Sequence, residues 1–213
     1  ILNPLQKALK SKKLNDDNNY LVRSAEKNSL QLFDLIYQVL ELTKFETNKV
    51  FLNPTPIHFT SAMGKLYADF ESLAANRKIN FELKNEANKD LKIEIDEYKF
   101  TTIIKNLISN ALKFTTENGT VKLQVEEQTD TLQISVSDTG RGIHQQDLPY
   151  VFDRYYQSKI SGDIMEGGTG IGLAICKEYA VLMDGNIQVE SIYGQGSTFI
   201  IQLPKTISEA IIN

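Results

Sequence analysis

Three polar side chains in one segment of the chain could line a ligand site. Asn106, Asn110 and Lys113 recur at i, i+4 and i+7, so on a helix they form one polar stripe. The stripe lies along the border of an apolar face, and polar groups at such a border can point into a cleft. The solvated edge of an amphipathic helix has the same pattern and is the alternative interpretation. That face is predicted by residues that repeat every 3.6 positions, namely Phe100, Ile103, Ile104, Leu107, Ile108, Ala111 and Leu112.

A carboxylate and two glycines follow a predicted strand further along the chain. Asp138 is followed by Gly140, Gly142 and Ile143. The glycines allow the backbone to approach a flat ligand closely, and the carboxylate can accept a hydrogen bond from an exocyclic amine. Such a bond to a charged group contributes about 1.5–3 kcal/mol, which is enough to select adenine over guanine. Taken alone, the same spacing is also typical of an ordinary tight turn.

A glycine-rich segment runs directly into a predicted helix. Backbone N–H groups at a helix start, where the helix dipole favours anions, are the arrangement that holds phosphates. The segment is not a Walker A loop and does not have the Rossmann glycine spacing. A flexible helix entry without a ligand is the alternative interpretation. Its residues are Gly167, Gly168, Thr169, Gly170, Ile171, Gly172 and Leu173.

The chain between the two glycine segments combines an apolar and a polar part. Residues 151–157 predict a short apolar anchor, and residues 158–166 predict a mobile lid of the kind that closes over a nucleotide. Arg154 and Lys159 could face phosphates there, although either could be a plain surface charge.

Length and composition exclude several classes of protein. The chain has 213 residues, 41% of them hydrophobic and 23% charged, which predicts a globular protein of one or two domains. A net charge of -4 gives no support for nucleic-acid binding. The single cysteine, Cys176, lies in an apolar helical run and is expected to be a buried thiol. The first residue is Ile1, which suggests an excised fragment, so membrane attachment through an absent segment stays open.

The N-terminal part predicts a helical hairpin. Residues 1–47 are predicted to form two helices, and the second carries a second apolar row, Phe33, Ile36 and Leu40, beside a heptad seam. One short partner helix cannot cover both rows, so we expect the hairpin to pair with a second copy as a four-helix bundle; packing on the rest of the chain is the alternative. The seam consists of Leu21, Ala25, Asn28, Leu32, Leu35, Val39 and Leu42.

The rest of the chain predicts an α+β two-layer sandwich. Prolines in residues 53–56 break the helical pattern and place a domain boundary there. Asp96 is the expected N-cap of the helix that carries Asn106. Helices are predicted at 61–75 and 169–183 and strands at 79–83, 91–95, 120–125, 131–136, 186–190 and 198–203.

These motifs together resemble those of sensor histidine kinases. Residues 106–115 look like the N box of that family, 138–143 like its G1 box, 151–156 like its F box, 167–173 like its G2 box, and 194–199 like its last glycine turn. Their shared order over residues ~55–205 makes chance agreement improbable. The resemblance implies the Bergerat ATP-binding fold, shared with gyrase B, MutL and heat-shock chaperone ATPases.

The resemblance also implies a domain organisation and partners. Residues 1–50 would be a partial dimerisation hairpin that forms a homodimer, 51–205 the ATP-binding catalytic domain, and 206–213 a tail. A response-regulator receiver domain would take the phosphoryl group on an aspartate. The location would be cytoplasmic, as part of a membrane-bound sensor.

Position by position, the resemblance implies roles for single residues. Asn110 would hold Mg²⁺, Asn106 would support the metal and phosphates, Lys113 would contact phosphate oxygens, and Asp138 would accept the adenine amine. Further expected contacts to ATP are Gly140, Gly142, Ile143, Tyr155, Lys159, Gly167, Gly168, Thr169, Gly170, Ile171, Gly172, Leu173 and Thr198.

Position 106 bears on the reaction. Hydrolytic relatives have a glutamate there, and an amide cannot act as a general base at neutral pH, which favours phosphoryl transfer to protein over hydrolysis. Arg154 occupies the first arginine position of the F box and is the third expected catalytic residue, with Asn106 and Lys113. The second basic position of the F box is Gln157, for which Lys159 is a possible substitute. A hydrolytic ATPase of the same fold and a degenerate kinase that acts as a dimeric scaffold are the alternatives.

The acceptor histidine of the family is expected before Ile1. Neither His58 nor His144 has the flanking residues of the family's acceptor segment. We therefore expect the fragment to bind Mg²⁺-ATP but not to phosphorylate itself.

Overall fold

The computed structural model describes residues 16–46, 50–158 and 169–205. The chain consists of two compact units, 1–49 and 50–213. In the first unit, helix α1 spans Asp16–Glu46. The other predicted arm of the hairpin lies outside the described residues. Most side chains of the two predicted apolar rows are exposed along α1, whereas Leu42, the last residue of the seam, is buried; the exposed ones are Leu21, Leu32, Leu35, Val39, Phe33, Ile36 and Leu40.

The second unit alternates helices and strands. A short 3-10 turn, Leu148–Tyr150, follows the loop after β5. None of the helices in the described ranges combines the length and the apolar character that crossing a bilayer requires. The elements are β1 (Thr55–His58), α2 (Phe59–Asn76), β2 (Asn80–Asn85), β3 (Lys92–Ile95), α3 (Glu97–Phe114), β4 (Thr120–Glu127), β5 (Thr131–Asp138), α4 (Gly172–Leu182), β6 (Asn186–Ile192) and β7 (Gly196–Pro204).

The strands form a five-stranded sheet in the order β2-β4-β5-β7-β6 and a separate two-stranded ribbon of β1 and β3. In the larger sheet β2 runs parallel to β4, and the other neighbours are antiparallel. The predicted hairpin is confirmed as β4 and β5. The predicted strand at 91–95 is also present, but it pairs with β1 outside the larger sheet.

One face of the sheet is buried and the other is polar. Alternate residues of β4 and β5, such as Val121 and Ile134, are fully buried, and so is the predicted apolar face of α3. On the other face, Gln202 donates to Gln133 at 3.2 Å. Because only one face buries apolar side chains, the helices form a single layer, which confirms the predicted α+β two-layer sandwich.

The N-terminus of α3 is held by a buried carboxylate, as predicted. Asp96 accepts hydrogen bonds from the backbone N–H groups of Lys99 and Asn53, each at 3.0 Å, and from Lys99 Nζ at 2.6 Å. Burial raises the pKa of Asp96, but the bonds from Lys99 and Asn53 outweigh it, and the pKa lies below its ordinary value. The cap therefore fixes the start of the helix that carries the polar stripe.

Asp96→Ala is expected to lower the free energy of unfolding by roughly 1–3 kcal/mol, because a cap is lost and buried donors lose their acceptor. Since the folded-state pKa is depressed, the stabilisation is complete above the unfolded-state pKa and disappears as the pH falls through the folded-state pKa. Urea unfolding of wild type and variant, at neutral and at strongly acidic pH, measures this difference. Asp96→Asn is the matched control, since it keeps an oxygen for the N–H bonds and should remove mainly the pH-dependent part.

Candidate functional site

The polar stripe of α3 lies against the start of α4. Asn106 Nδ2 donates to the carbonyl of Thr102 at 2.9 Å, and a Cβ placed on Gly172 would stand 2.7 Å from Asn106 Oδ1. A residue larger than glycine would thus displace the Asn106 amide. The structure therefore brings the N-box stripe and the G2 glycines together.

The two other residues of the stripe lie along the same half-buried border. Among the described residues, the Asn110 side chain has no hydrogen-bond partner. Lys113 Nζ lies 4.6 Å from the centre of the Phe114 ring, and the guanidinium carbon of Arg141 lies at the same distance. Sequence reasoning missed Arg141, although its place between the two G1 glycines could have indicated it. Two cations therefore stand at the C-terminal end of α3.

Asp138 ends β5 beside that same end of α3. Its Oδ1 accepts from the Gly140 N–H at 2.8 Å, and the carboxylate also accepts from the Ser197 N–H. Burial raises the pKa of Asp138, and these two bonds do not cancel the effect. A Cβ on Gly140 would stand 2.4 Å from the Phe114 carbonyl oxygen, so only glycine allows this contact. The structure thus joins the G1 segment to the N-box helix.

The rest of the G1 loop is fastened to the end of β6. Gly142 has a φ of +68°, and a Cβ there would lie 2.2 Å from the Ile192 carbonyl oxygen. The Ile143 N–H donates to Ser191 Oγ at 2.8 Å. The loop therefore has a fixed shape next to Asp138.

The G2 segment contacts the F box through backbone atoms. The Tyr155 N–H donates to the Gly170 carbonyl at 2.8 Å, and a Cβ on Gly170 would stand 2.6 Å from the Tyr155 carbonyl carbon. Thr169 Oγ1 accepts from the Ile171 N–H at 3.1 Å, and the Tyr155 side chain is exposed. Helix α4 starts at Gly172 and not at Thr169 as predicted, because Gly170 has a φ of +67°, which does not fit a right-handed helix.

Arg154 is held by an ion pair. Its Nη2 lies 2.9 Å from Oε1 of Glu178 on α4, and both side chains are about one-third exposed. A contact between Arg154 and a phosphate would require the guanidinium to share or leave this carboxylate. Lys159, Gly167 and Gly168, together with most of the predicted lid, lie outside the described residues.

The structure corrects the expectation for Thr198. In β7 the core-facing positions are Ser197 and Phe199, and Thr198 Oγ1 instead donates to Ser137 Oγ at 3.1 Å on the outer face of the sheet. Ser197 pairs with Asp138 across the two strands and shares its face. The two-residue period of a strand, counted back from Phe199, would have indicated Ser197.

The amide oxygens of Asn106 and Asn110 would suit a magnesium ion held jointly by these side chains and by phosphate oxygens. Within the described ranges, no group of three or more His, Cys, Asp and Glu residues could hold a metal ion by itself. Asn110 and Asn106 provide amide oxygens, and Mg²⁺ prefers oxygen ligands and usually keeps waters and substrate phosphates in its shell.

A second concave surface lies between α2 and α3. It is lined by Lys65, Tyr98 and Thr101 among others, and Lys105 and Asp69 form an ion pair of 3.2 Å there. None of the predicted site residues lines this groove. The groove therefore lies apart from the place where the N, G1 and G2 segments meet.

An α+β sandwich in which these three segments meet beside the half-buried carboxylate of Asp138 defines an ATPase-type nucleotide-binding domain. Residues 95–207 match the family described as histidine kinase-, DNA gyrase B-, and HSP90-like ATPase, and the chain belongs to this family. The chain is 36% identical over 176 residues to the sensor histidine kinase WalK of Bacillus subtilis (strain 168), a match that covers 82% of this chain and 28% of WalK. The predicted resemblance to sensor histidine kinases is confirmed.

Solved structures agree with this assignment. The catalytic domain of the histidine kinase ThkA is 28% identical, with a TM-score of 0.63 over 72% of this chain and 99% of that domain. Full-length ShkA, solved in complex with AMPPNP, is 24% identical, with a TM-score of 0.79 over 98% of this chain and 44% of ShkA; at this identity it shows the fold alone.

Proposed function

We propose that the chain is the part of a sensor histidine kinase that binds Mg²⁺-ATP and transfers its γ-phosphoryl group to a histidine, from which a response-regulator aspartate receives it. The observation that carries the proposal is the contact of the N-box helix with both glycine segments, through Gly172 at Asn106 and Gly140 at Phe114. The match of residues 95–207 to a family of ATPases supports ATP as the ligand.

Asp138 is the proposed adenine contact. The two N–H groups that bond to its carboxylate orient it, and an oriented acceptor next to glycines suits the edge of a flat base. Because burial raises its pKa, keeping it ionised costs free energy, which is typical of a residue retained for binding. Gly140, Gly142 and Ile143 shape the adjacent loop.

The phosphates are proposed to bind between α3 and the start of α4. The first N–H groups of a helix have no acceptor within the helix, and together with the helix dipole they favour anions at the start of α4. Lys113 and Arg141, both beside Phe114, add positive charge at the end of α3. Thr169, Ile171 and Leu173 contribute backbone to the same entry, and Arg154 would join if it left Glu178.

The magnesium ion would be held by Asn110, with Asn106 beside it, and by phosphate oxygens. When bound, Mg²⁺ would neutralise charge on the phosphates. The Asn106 amide cannot take a proton from water at neutral pH, so this residue orients ligands without promoting hydrolysis.

The phosphoryl acceptor is proposed to be a histidine other than His58 and His144. His58 ends β1 in the small ribbon, and the His144 ring stacks on Tyr193 with 3.6 Å between the ring centres. Neither residue stands on the exposed face of a helix, where the acceptor of a dimerisation hairpin would lie.

The partners are proposed from the first unit and from the relatives. The two exposed apolar rows of α1 favour a homodimer through residues 1–47, because such rows lower the free energy when they are buried. A receiver domain would dock on this dimer, on the cytoplasmic side of a membrane-bound sensor.

The decisive test is the magnesium dependence of ATP binding by the purified chain. Isothermal titration calorimetry is expected to show that wild type binds ATP more tightly with Mg²⁺ than with EDTA. Asn110→Ala should reduce the ratio of these two affinities by about tenfold or more. Ser109→Ala, an exposed position on the same helix, is the matched control and should retain it.

Equal effects of Mg²⁺ on wild type and Asn110→Ala would contradict the metal assignment, and no ATP binding by wild type would contradict the function. The same preparation, incubated with ATP labelled at the γ-phosphate, should retain no label. Retained label would show that an acceptor lies within these residues.

A further inference from the structure

A buried carboxylate outside the predicted site connects the G1 loop with the F box. Asp147 is 4% exposed and lies three residues after His144. Its backbone N–H donates to the His144 carbonyl at 2.8 Å, and its own carbonyl accepts from the Tyr150 N–H at 2.9 Å. The backbone N–H and the carbonyl of Asp147 are therefore both bonded within the turn that follows the G1 loop.

The side chain of Asp147 reaches across to residues that follow Arg154. Its Oδ1 accepts from the Tyr156 hydroxyl at 2.6 Å, and its Oδ2 accepts from the Ser158 hydroxyl. The bond from Tyr156 to Asp147, together with burial, raises the pKa of Tyr156 to about 12. The Tyr156 ring also lies 5.6 Å from that of Tyr150, which precedes the F box.

The segment that Asp147 holds is the one that contacts the G2 segment. Tyr155 has a φ of +64° and donates its N–H to Gly170, whose Cα fits against the Tyr155 backbone only without a Cβ. Arg154 reaches Glu178 on α4 from the same segment. A shift of Tyr156 away from Asp147 would therefore move Tyr155, and with it the backbone contact to Gly170.

We propose that Asp147 is a positioning residue for the triphosphate. Through Tyr156 and Ser158 it holds residues 154–158 against the turn that follows the G1 loop, and it thereby sets the place of Gly170, two residues before the start of α4. Burial raises the pKa of Asp147, but the bonds from Ser158 and Tyr156 outweigh it, so the carboxylate that holds this segment is ionised. The inference rests on the proposed function, because it requires ATP to bind at this helix start.

The inference separates two parts of the nucleotide. Adenine would be recognised by Asp138 through bonds that do not involve Asp147, whereas the outer phosphates would lie near Gly170 and α4. Loss of Asp147 should therefore weaken binding of ATP more than that of ADP.

Calorimetry on the full chain with Mg²⁺ tests this with ATP and ADP as separate ligands. Asp147→Ala should weaken ATP binding by about tenfold and ADP binding by less than about threefold, and Tyr156→Phe should change the ratio in the same direction by a smaller factor. The double variant should resemble Asp147→Ala alone, because both changes remove the same bond. Asp153→Asn, a change of an exposed carboxylate immediately before that segment, is the matched control and should leave both affinities unchanged.

The outcomes are distinguishable. An equal loss of affinity for ATP and ADP, which leaves their ratio unchanged, would overturn the inference while the proposed function stands. Additive effects in the double variant would do the same. No binding of ATP by wild type would overturn the proposed function and the inference with it. If Asp147→Ala does not fold, Asp147→Asn and Tyr156→Phe give the same comparison with the side-chain volume nearly kept.

Discussion

Asp138→Asn is expected to weaken binding of Mg²⁺-ATP by about 10- to 100-fold, the largest effect on affinity of any single change in this site. The carboxylate offers only acceptors, so it fits an exocyclic amine, whereas an asparagine can turn a donor toward that amine. The N–H groups of Gly140 and Ser197 already bond to the carboxylate, so the replacement amide would favour keeping its oxygen on them. The NH₂ group would then face the adenine.

The same variant should not lose stability without nucleotide. Burial raises the pKa of Asp138 in the folded state, so the ionised group costs folding free energy at neutral pH, and its removal abolishes that cost. Thermal unfolding with and without ATP measures both effects. We expect an equal or higher melting temperature for the free variant and a much smaller increase on adding ATP.

Asp130→Asn is the matched control, because Asp130 is exposed at the other end of the same hairpin. It should keep the full ATP-dependent increase. An undiminished increase in Asp138→Asn would show that this carboxylate does not contact the adenine.

Gly196→Ala is expected to have the largest effect on folding, a loss of roughly 2–6 kcal/mol. The residue has a φ of +114°, and a Cβ there would stand 1.9 Å from the carbonyl oxygen of Asp138. The clash is with backbone, so no side-chain rotation relieves it, and β5 and β7 must separate where Asp138 ends its strand. Chemical denaturation and ATP titration of the same sample should therefore both show a loss.

Gly194→Ala separates the contribution of backbone strain from that of the steric clash. Gly194 has a φ of +85° but nothing within 4 Å of an added Cβ, so this variant should lose only the strain, about 1–3 kcal/mol, and keep its affinity for ATP. Equal losses of stability in the two variants would refute the steric account of Gly196.

Local patterns were sufficient for much of the fold. The period of 3.6 residues in α3 and its cap at Asp96 involve neighbours within one or two turns, and both are confirmed. The alternation in β4 and β5 reflects one buried face and is confirmed as well. The parallel pairing of β2 with β4 could not be predicted, because it depends on a connection through α3 and not on local pattern.

The site shows where such patterns become insufficient. The glycine segments were recognisable because close backbone approach restricts the residue type, as Gly140 and Gly172 show. The pairing of Arg154 with Glu178, and the bonds from Tyr156 to Asp147, join residues whose proximity only the tertiary fold creates. Thr198 was misassigned because the motif gives the residue types of the turn and not the side of the strand on which each lies.

The outer face of the sheet has a practical consequence. Gln133 and Gln202 bond to each other there, as do Ser137 and Thr198, and the neighbouring edge positions Gln188 and Glu190 are exposed. A fluorescent dye attached at Gln188 or Glu190 would stand on the side of the sheet opposite Asp138. It could thus report on the domain in solution without occupying the nucleotide's own space.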